Sequence, residues 1–384
     1  MNQTMSTISG DSSSGGGQRS RWPDLPDDIL SSIADRIDPK IGTLRLRSVC
    51  RSWHSSLSPL PSSITFPLKL PFPLSNGVST SPSQLSLSKR TVYLLSPPEN
   101  FSNGGFLIKV EEREGKRNGF SLFDPLLSYS KFPQPNLCLN LLDYRVSVVC
   151  ESYVVNSDLG LPQNPFKKAV VAKNFAVKGD FVVLGLKLSG ELLIWRIGDE
   201  QWTEIGVNGR SFDDIISYNG KFYATADRKG RLVMIDSRLK PLDLVPKLVY
   251  GNGMCTYLVE CDGNLYVVDR VGIDDGRDIK LGVFKLDDKG HFWDYESDLN
   301  DCVFFVGDDA NFSLSRNDYY GDIRNVIYFK GVSVEEEGDR IGGIDEFTKV
   351  FDMKTNSSSY LVESESYAKL YWPPSSWFQS GCSS

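Results

Sequence analysis

Residues 217–226 read SYNGKFYATA, and residues 260–269 read ECDGNLYVVD. Superposed on Gly220 and Gly263, the two stretches lie 43 residues apart. Each places a polar residue and a glycine before a run of aromatic and β-branched side chains, the pattern of a tight turn feeding a strand. A second pair, LSGELLIW and RKGRLVMI, aligns on Gly190 and Gly230 with a spacing of 40. In each unit another such strand follows and closes on a polar turn, as in VMID at Asp236, FKLD at Asp287 and KVFD at Asp352. Several short strands within a period of about 40–50 residues form the unit of a β-propeller blade.

The same texture extends over most of the chain. TVYLLSP, GGFLIKVEE, RVSVVCESYVV, FVVLGLKL, LGVFKL, CVFFVG, NVIYFKG and TKVFDM are further strand-like runs bounded by turn residues. No helix of ordinary length interrupts them after Lys89. The expected fold is mainly β: a short N-terminal α-helical module followed by a β-propeller-like domain over 89–384. At the repeat period that length allows about six or seven blades; a pair of β-sandwiches is the competing arrangement. Ahead of it, residues 1–20 are Ser/Gly-rich with almost nothing to bury, and disorder is expected. Residues 21–58 carry the helical module. Residues 59–88 form a Pro/Ser-rich bridge in which six prolines forbid a helix. Within the bridge, Ile64, Phe66, Leu68, Leu70, Phe72 and Leu74 alternate strictly with their neighbours, so an extended chain turns one apolar face toward the following domain.

The 384 residues carry a formal charge of −7, with 40% hydrophobic and 11% aromatic residues. The first sixty residues are nearly neutral, so the acidity lies in the β region, without any single-sign block. Nucleic acid is disfavoured as a partner, because its binders present a basic face. The seven cysteines are odd in number, scattered and without a CxxC pair, as expected of reduced thiols in the nucleus or cytoplasm. No apolar run approaches the length of a membrane span or a signal-peptide core. Asn100, Asn311 and Asn356 begin sequon-like triplets and are read as chance.

The helical module begins WPDLPDDILSSIADRIDPKIGTLRLRSVCRSWHSS from Trp22. Asp24 is placed to cap a helix whose first turn holds Pro26, Asp27 and Asp28, with the acids at the positive end of the dipole. Ile29, Leu30, Ile33 and Ile37 then share one stripe, and Asp38-Pro39 ends the helix. Ser48 is placed to cap a last segment with Val49, Cys50 and Trp53 on one side. About 36 residues are too few to hold a core unaided. Either the module is a cap docked on the β domain, or a second protein completes it.

These residues resemble the F-box: the Leu-Pro start, the aliphatic ladder, the Asp-Pro break and the VCRSW ending cover essentially the whole motif. Gly42 is the one departure, where many members carry a bulkier residue. The rest of the chain is similar to plant F-box proteins of the Skp-interacting-partner type, whose C-terminal region is a kelch-like or propeller-like β domain. SKRTVYLLSP, SLFDPL and the terminal YWPPSSWF carry that similarity. The resemblance implies a substrate-recognition subunit of an SCF-type (Skp–cullin–F-box) ubiquitin ligase. Its F-box would bind the Skp-family adaptor through Leu25, Pro26, Ile29, Leu30, Ile33, Val49, Cys50 and Trp53, with Arg47 and Arg51 solvated or at the rim. Cullin and RING protein would follow through the adaptor, and the β domain would capture a target protein. The alternative is an F-box scaffold acting outside ubiquitination.

Catalysis is not expected. Only His54 and His291 are present, too few for a His-based triad or a His-rich metal site, and no phosphate-binding glycine motif occurs. No cofactor, metal or membrane is expected. Asp274–Asp278 and Glu335–Asp339 read as solvated turns rather than cation sites. Trp195, Trp202, Trp293, Tyr319, Tyr320, Tyr371, Trp372 and Trp377 are the candidate anchors for a target, two or three of them serving so, since Trp and Tyr are enriched in binding hot spots.

Overall fold

The hairpin turns that define the repeats adopt the backbone their residues predict. In the computed structural model of the chain, Asn219 and Gly220 have φ of 47° and 69°, and Asp262 and Gly263 have φ of 49° and 73°. Both pairs sit in the left-handed region that a two-residue type I′ turn demands. They join strands in register, Tyr218 opposite Lys221 and Cys261 opposite Asn264. Gly230 serves a different end. A Cβ there would lie 2.5 Å from Leu248, and its carbonyl accepts a hydrogen bond from Trp293 Nε1 at 2.8 Å.

The structure describes residues 25–34, 46–47, 49–57, 64–73, 84–97, 105–113, 119–128, 144–157, 165–173, 175, 180–206, 209–245, 248, 255–271, 279–319, 321–334 and 344–373. They fall into two compact units, 1–63 and 64–384. The first contains helices α1 (Asp27–Ala34) and α2 (Arg51–Ser56). The second is built of β-meanders. Blade 1 holds β1 (Leu68–Pro71), β2 (Gln84–Ser96), β3 (Phe106–Arg113), β4 (Gly119–Phe123) and β5 (Arg145–Ser157). Blade 2 holds β6 (Phe166–Lys173), β7 (Phe181–Lys187), β8 (Leu192–Arg196) and β9 (Thr203–Glu204). Blade 3 holds β10 (Phe212–Tyr218), β11 (Lys221–Ala226), β12 (Arg231–Ile235) and β13 (Pro241–Val245). Blade 4 holds β14 (Cys255–Cys261), β15 (Asn264–Val271), β16 (Lys280–Leu286) and β17 (Trp293–Glu296). Blade 5 holds β18 (Val303–Val306), β19 (Asn311–Leu314), β20 (Val326–Val334), β21 (Ile344–Asp352) and β22 (Ser357–Tyr360), followed by helix α3 (Glu365–Tyr371).

Neighbouring strands are antiparallel except β18 and β20, which run parallel. Among the described residues, the strand pairing between blades 1 and 2 is the single Tyr153–Ala169 pair of β5 and β6. The five innermost strands β5, β6, β10, β14 and β19 neighbour one another in a closed circuit.

The packing confirms the ring. One apolar core lies between each consecutive pair of blades: Leu87 and Tyr153 with Phe166 and Trp195 between 1 and 2, and Leu184 with Phe222 between 2 and 3. Leu232 meets Trp293 between 3 and 4, and Val268 meets Phe304 between 4 and 5. The fifth core closes the circle, with Leu94 and Leu107 of blade 1 against Phe305 and Tyr328 of blade 5. A blade is apolar on both faces because each face is covered by a neighbour, which is why β18 is buried throughout and β7 from Phe181 to Leu186.

Two expectations are corrected. The described strands make five blades, not six or seven, because blade 1 consumes far more chain than the repeat period: β2 and β5 are each 13 residues long. The boundary at residue 88 falls inside β2, and the bridge is not separate from the β unit. β1 pairs with β2, and Leu70 is buried with Ile64, Phe66, Leu68 and Phe72 packed beside it. The apolar face of that segment meets the following domain as its alternation predicts, in a strand that completes the first core; Leu74 lies outside the described residues, as do residues 1–20.

Candidate functional site

In the helical unit, α1 starts at Asp27, and the Pro26 carbonyl accepts its first helical hydrogen bond from Leu30 N at 3.0 Å. Asp27 and Asp28 occupy the first turn, where the dipole favours them. Asp24, Ile37 and the Asp38-Pro39 break lie outside the described residues. α2 is capped not by Ser48, which is also outside them, but by Cys50. The Cys50 backbone is extended, and its Sγ accepts from Trp53 N at 3.5 Å. Arg47, expected in solvent or at the rim, is half-buried and donates through Nη1 to the Leu57 carbonyl.

The eight predicted contact residues divide into two sets. Leu30, Trp53 and Leu57 form a small core, with Leu25, Leu46 and Cys50 packed against it. Leu30 is 1% exposed and Trp53 7%, so these two hold the module together. Ile29 and Val49 are 45% and 57% exposed, Pro26 is exposed and Ile33 half-exposed. Leu57, absent from the predicted set, belongs to the core. The sequence signal for it was the i, i+4 spacing from Trp53.

In the β unit, the inner strands carry buried charges that stitch blades together. Lys168 Nζ pairs with Asp214 Oδ1 at 2.7 Å, both nearly sealed from solvent. Asp214 Oδ2 accepts from Leu258 N at 2.8 Å and from Asn311 Nδ2 at 2.7 Å. One carboxylate thus binds blades 2, 3, 4 and 5. Asn311, one of the sequon-like positions, has its amide committed here. Asp309 plays the corresponding part at the seam of blades 5 and 1. It receives Lys109 Nζ at 2.5 Å and Ser152 Oγ at 3.0 Å, with Arg90 at 3.7 Å. Burial raises the Asp309 carboxyl, but the Lys109 and Arg90 charges outweigh it and hold the group below its ordinary range. Truncating one partner of such a buried pair leaves a bare charge, at a cost of about 3–5 kcal/mol. Sequence reasoning missed these residues; the signal was a charge inside an apolar strand run, as in FLIKV and FKKAVV.

These strands enclose an axial cavity of about 200 Å³ lined by Glu151, Ser152, Lys168, Glu260, Asp309 and Asn311 among others. A wider cavity of about 420 Å³ opens where the turns of blades 3 and 4 meet, beside Tyr218, Leu244, Leu286 and His291. The aromatics expected to anchor a target are mostly core. Trp195, Trp293, Tyr319 and Tyr371 are buried, and Trp202 and Trp372 are partly covered; Tyr320 and Trp377 lie outside the described residues. The exposed large apolar side chains include Phe292 and Tyr295 beside and on β17 and Leu242 on β13. β13 and β17 are the outermost strands of blades 3 and 4.

His54 and His291 are both exposed. Burial pushes the Cys150 thiol up to about 12 and raises that of Cys255. The two acidic loops at 274–278 and 335–339 lie outside the described residues. Among the described residues no helix is long and apolar enough to cross a membrane.

A helical module with a core of its own, followed by a β ring latched by side chains, defines a modular propeller protein. Residues 84–360 match the family described as KIB1-4 beta-propeller, and residues 22–62 match the F-box domain. The chain belongs to the KIB1-4 β-propeller family and carries an F-box. Two Arabidopsis thaliana proteins are similar over nearly their whole length. "F-box protein SKIP23" is 29% identical over 94% of this chain and 96% of its own. "F-box protein At2g17036" is 26% identical over 93% and 94%. F-box proteins are in general SCF substrate adaptors.

Proposed function

We propose that this chain is the substrate-recognition subunit of an SCF-type ubiquitin ligase. Its helical module docks on a Skp-family adaptor, which brings cullin and RING protein, and its β ring holds a target protein. The chain contributes proximity, not chemistry: tethering makes transfer to a target lysine effectively intramolecular. The setting is the nucleus or cytoplasm. One observation carries the reading. Among its described residues, the F-box module closes a core of three buried apolar side chains yet leaves Ile29 and Val49 largely exposed, apolar surface that a partner's groove would cover.

The test separates docking from folding. Ile29→Glu with Val49→Glu in the full chain is expected to abolish co-purification with a recombinant Skp-family adaptor while the thermal unfolding of the β unit is unchanged. Trp53→Ala is expected to lose the adaptor by unfolding the module itself. Undiminished adaptor binding by the double Glu variant would sink the docking surface. Adaptor binding without cullin in the complex would favour a scaffold outside ubiquitination.

A further inference from the structure

Cys261 ends β14 and Cys302 immediately precedes β18, so the two thiols meet in the apolar core between blades 4 and 5. They are 1% and 4% exposed. The backbone fixes both. Cys261 is held opposite Asn264 by the type I′ turn, while Cys302 N donates to Leu299 O at 3.0 Å and Cys302 O accepts from Asn325 N at 3.0 Å. Cys261 Sγ–H donates to Cys302 Sγ, with the sulfurs 2.8 Å apart.

Two chemistries use such a pair, and the number of ligands chooses between them. The Asp262 carboxylate lies close enough to the two sulfurs to join them around a metal ion. A structural zinc site is closed by four ligands, and among the described residues only these three donors come together. A disulfide needs only the two sulfurs, which already touch. The protons are already unequal. Its hydrogen bond to Cys302, with burial, pushes the Cys261 thiol up, whereas receiving that bond draws Cys302 down against burial and the charges of Asp262, Asp301 and Asp318.

We propose that Cys261 and Cys302 form a reversible thiol–disulfide couple, oxidised by hydrogen peroxide, that ties blade 4 to blade 5. The Cys302 thiolate attacks one peroxide oxygen and the O–O bond breaks; the departing hydroxide takes up a proton and leaves as water. The resulting sulfenic acid is attacked by Cys261 sulfur, forming the S–S bond and releasing a second water as the Cys261 proton is lost to the departing hydroxide. Two thiols and one peroxide thus give one disulfide and two waters. Sealing of the pair selects a small oxidant, and a dithiol reductant restores both thiols.

The full chain is incubated with hydrogen peroxide, unfolded in iodoacetamide and digested without reduction. The expected result is a peptide pair joined through Cys261 and Cys302. A rise of several degrees in the thermal midpoint accompanies it, since the cross-link restricts the unfolded chain, and dithiothreitol reverses both changes. Cys302→Ser is expected to lose the joined peptide and the rise. Mapping on the unsubstituted chain decides the matter even where that variant fails to fold. Both cysteines recovered as alkylated thiols, an irreversible sulfinic acid at Cys302, or one equivalent of bound zinc that blocks oxidation would each overturn the proposal.

Discussion

Asp269 shows how one buried group can set the pH response of the ring. It lies on β15 with one carboxylate oxygen lacking a hydrogen-bond partner. Burial, then the neighbouring Asp213, push its carboxyl up to about 6. Between the ordinary 3.8 and that value the folded chain binds more proton than the unfolded one, so this group's contribution to stability falls as pH rises through the window. Asp269→Asn is expected to be more stable than the parent above pH 6, by about 2–3 kcal/mol, with the gap closing toward pH 4. Urea unfolding midpoints at pH 4.5 and 7.5 check it; a variant weaker at pH 7.5 would show that the carboxylate serves a partner. Glu151 acts in the opposite sense. Although burial raises it, the Lys89 hydrogen bond and charge bring it to about 2, so its contribution is lost as pH falls below the ordinary carboxylate range. Neither residue was legible in the sequence. An aspartate in YVVDR looks like the polar end of a strand, and only the stacking of blades reveals that it is sealed.

At the scale of elements, the sequence was most readable where local chemistry decides the outcome. NG and DG turns, alternating strands and the Leu-Pro helix start appear in the structure close to where the residues place them. Where a distant element supplies the cover, the sequence showed the apolar face but not the strand that meets it. The segment around Leu70 has the alternation of a strand, but only pairing with β2 makes it one. Leu70→Ala is expected to cost about 2–5 kcal/mol, and Lys69→Ala, on the exposed side, close to nothing. Comparable losses in the two variants would mean that β1 does not complete the first core. Trp195 and Tyr371 illustrate the same limit in reverse. Their side chains are those of binding anchors, and the neighbouring blades bury them.

For the whole molecule, the decisive joint is the seam between the first and last blades. Among the described residues no strand pairs across it. Side chains close it instead: Asp309 holds Lys109 and Ser152, and α3 lays Leu370 and Tyr371 into the shared core. Tyr371 Oη donates to Asp124 Oδ1 at 2.5 Å on the blade 1 side and contacts Thr348 Oγ1 at 3.1 Å on the blade 5 side. Tyr371→Phe is expected to lower stability by about 1–3 kcal/mol, because the Asp124 carboxyl loses a buried donor. Truncation after Ser364 is expected to remove cooperative unfolding of the β unit by differential scanning calorimetry. A sharp transition retained in the truncated chain would show that the seam holds without its helix. The blade count was illegible for the same reason that the seam was: both depend on which strands meet around the axis, and sequence periodicity sees only strands that follow one another.

Asp124 and Tyr371 stand 247 residues apart. During synthesis, the first blade therefore leaves the ribosome with its outer partner still unmade, and waits until nearly the whole β region has been translated. Its apolar flank faces the crowded cell throughout that interval, which makes this flank the natural place for a chaperone to hold the nascent chain.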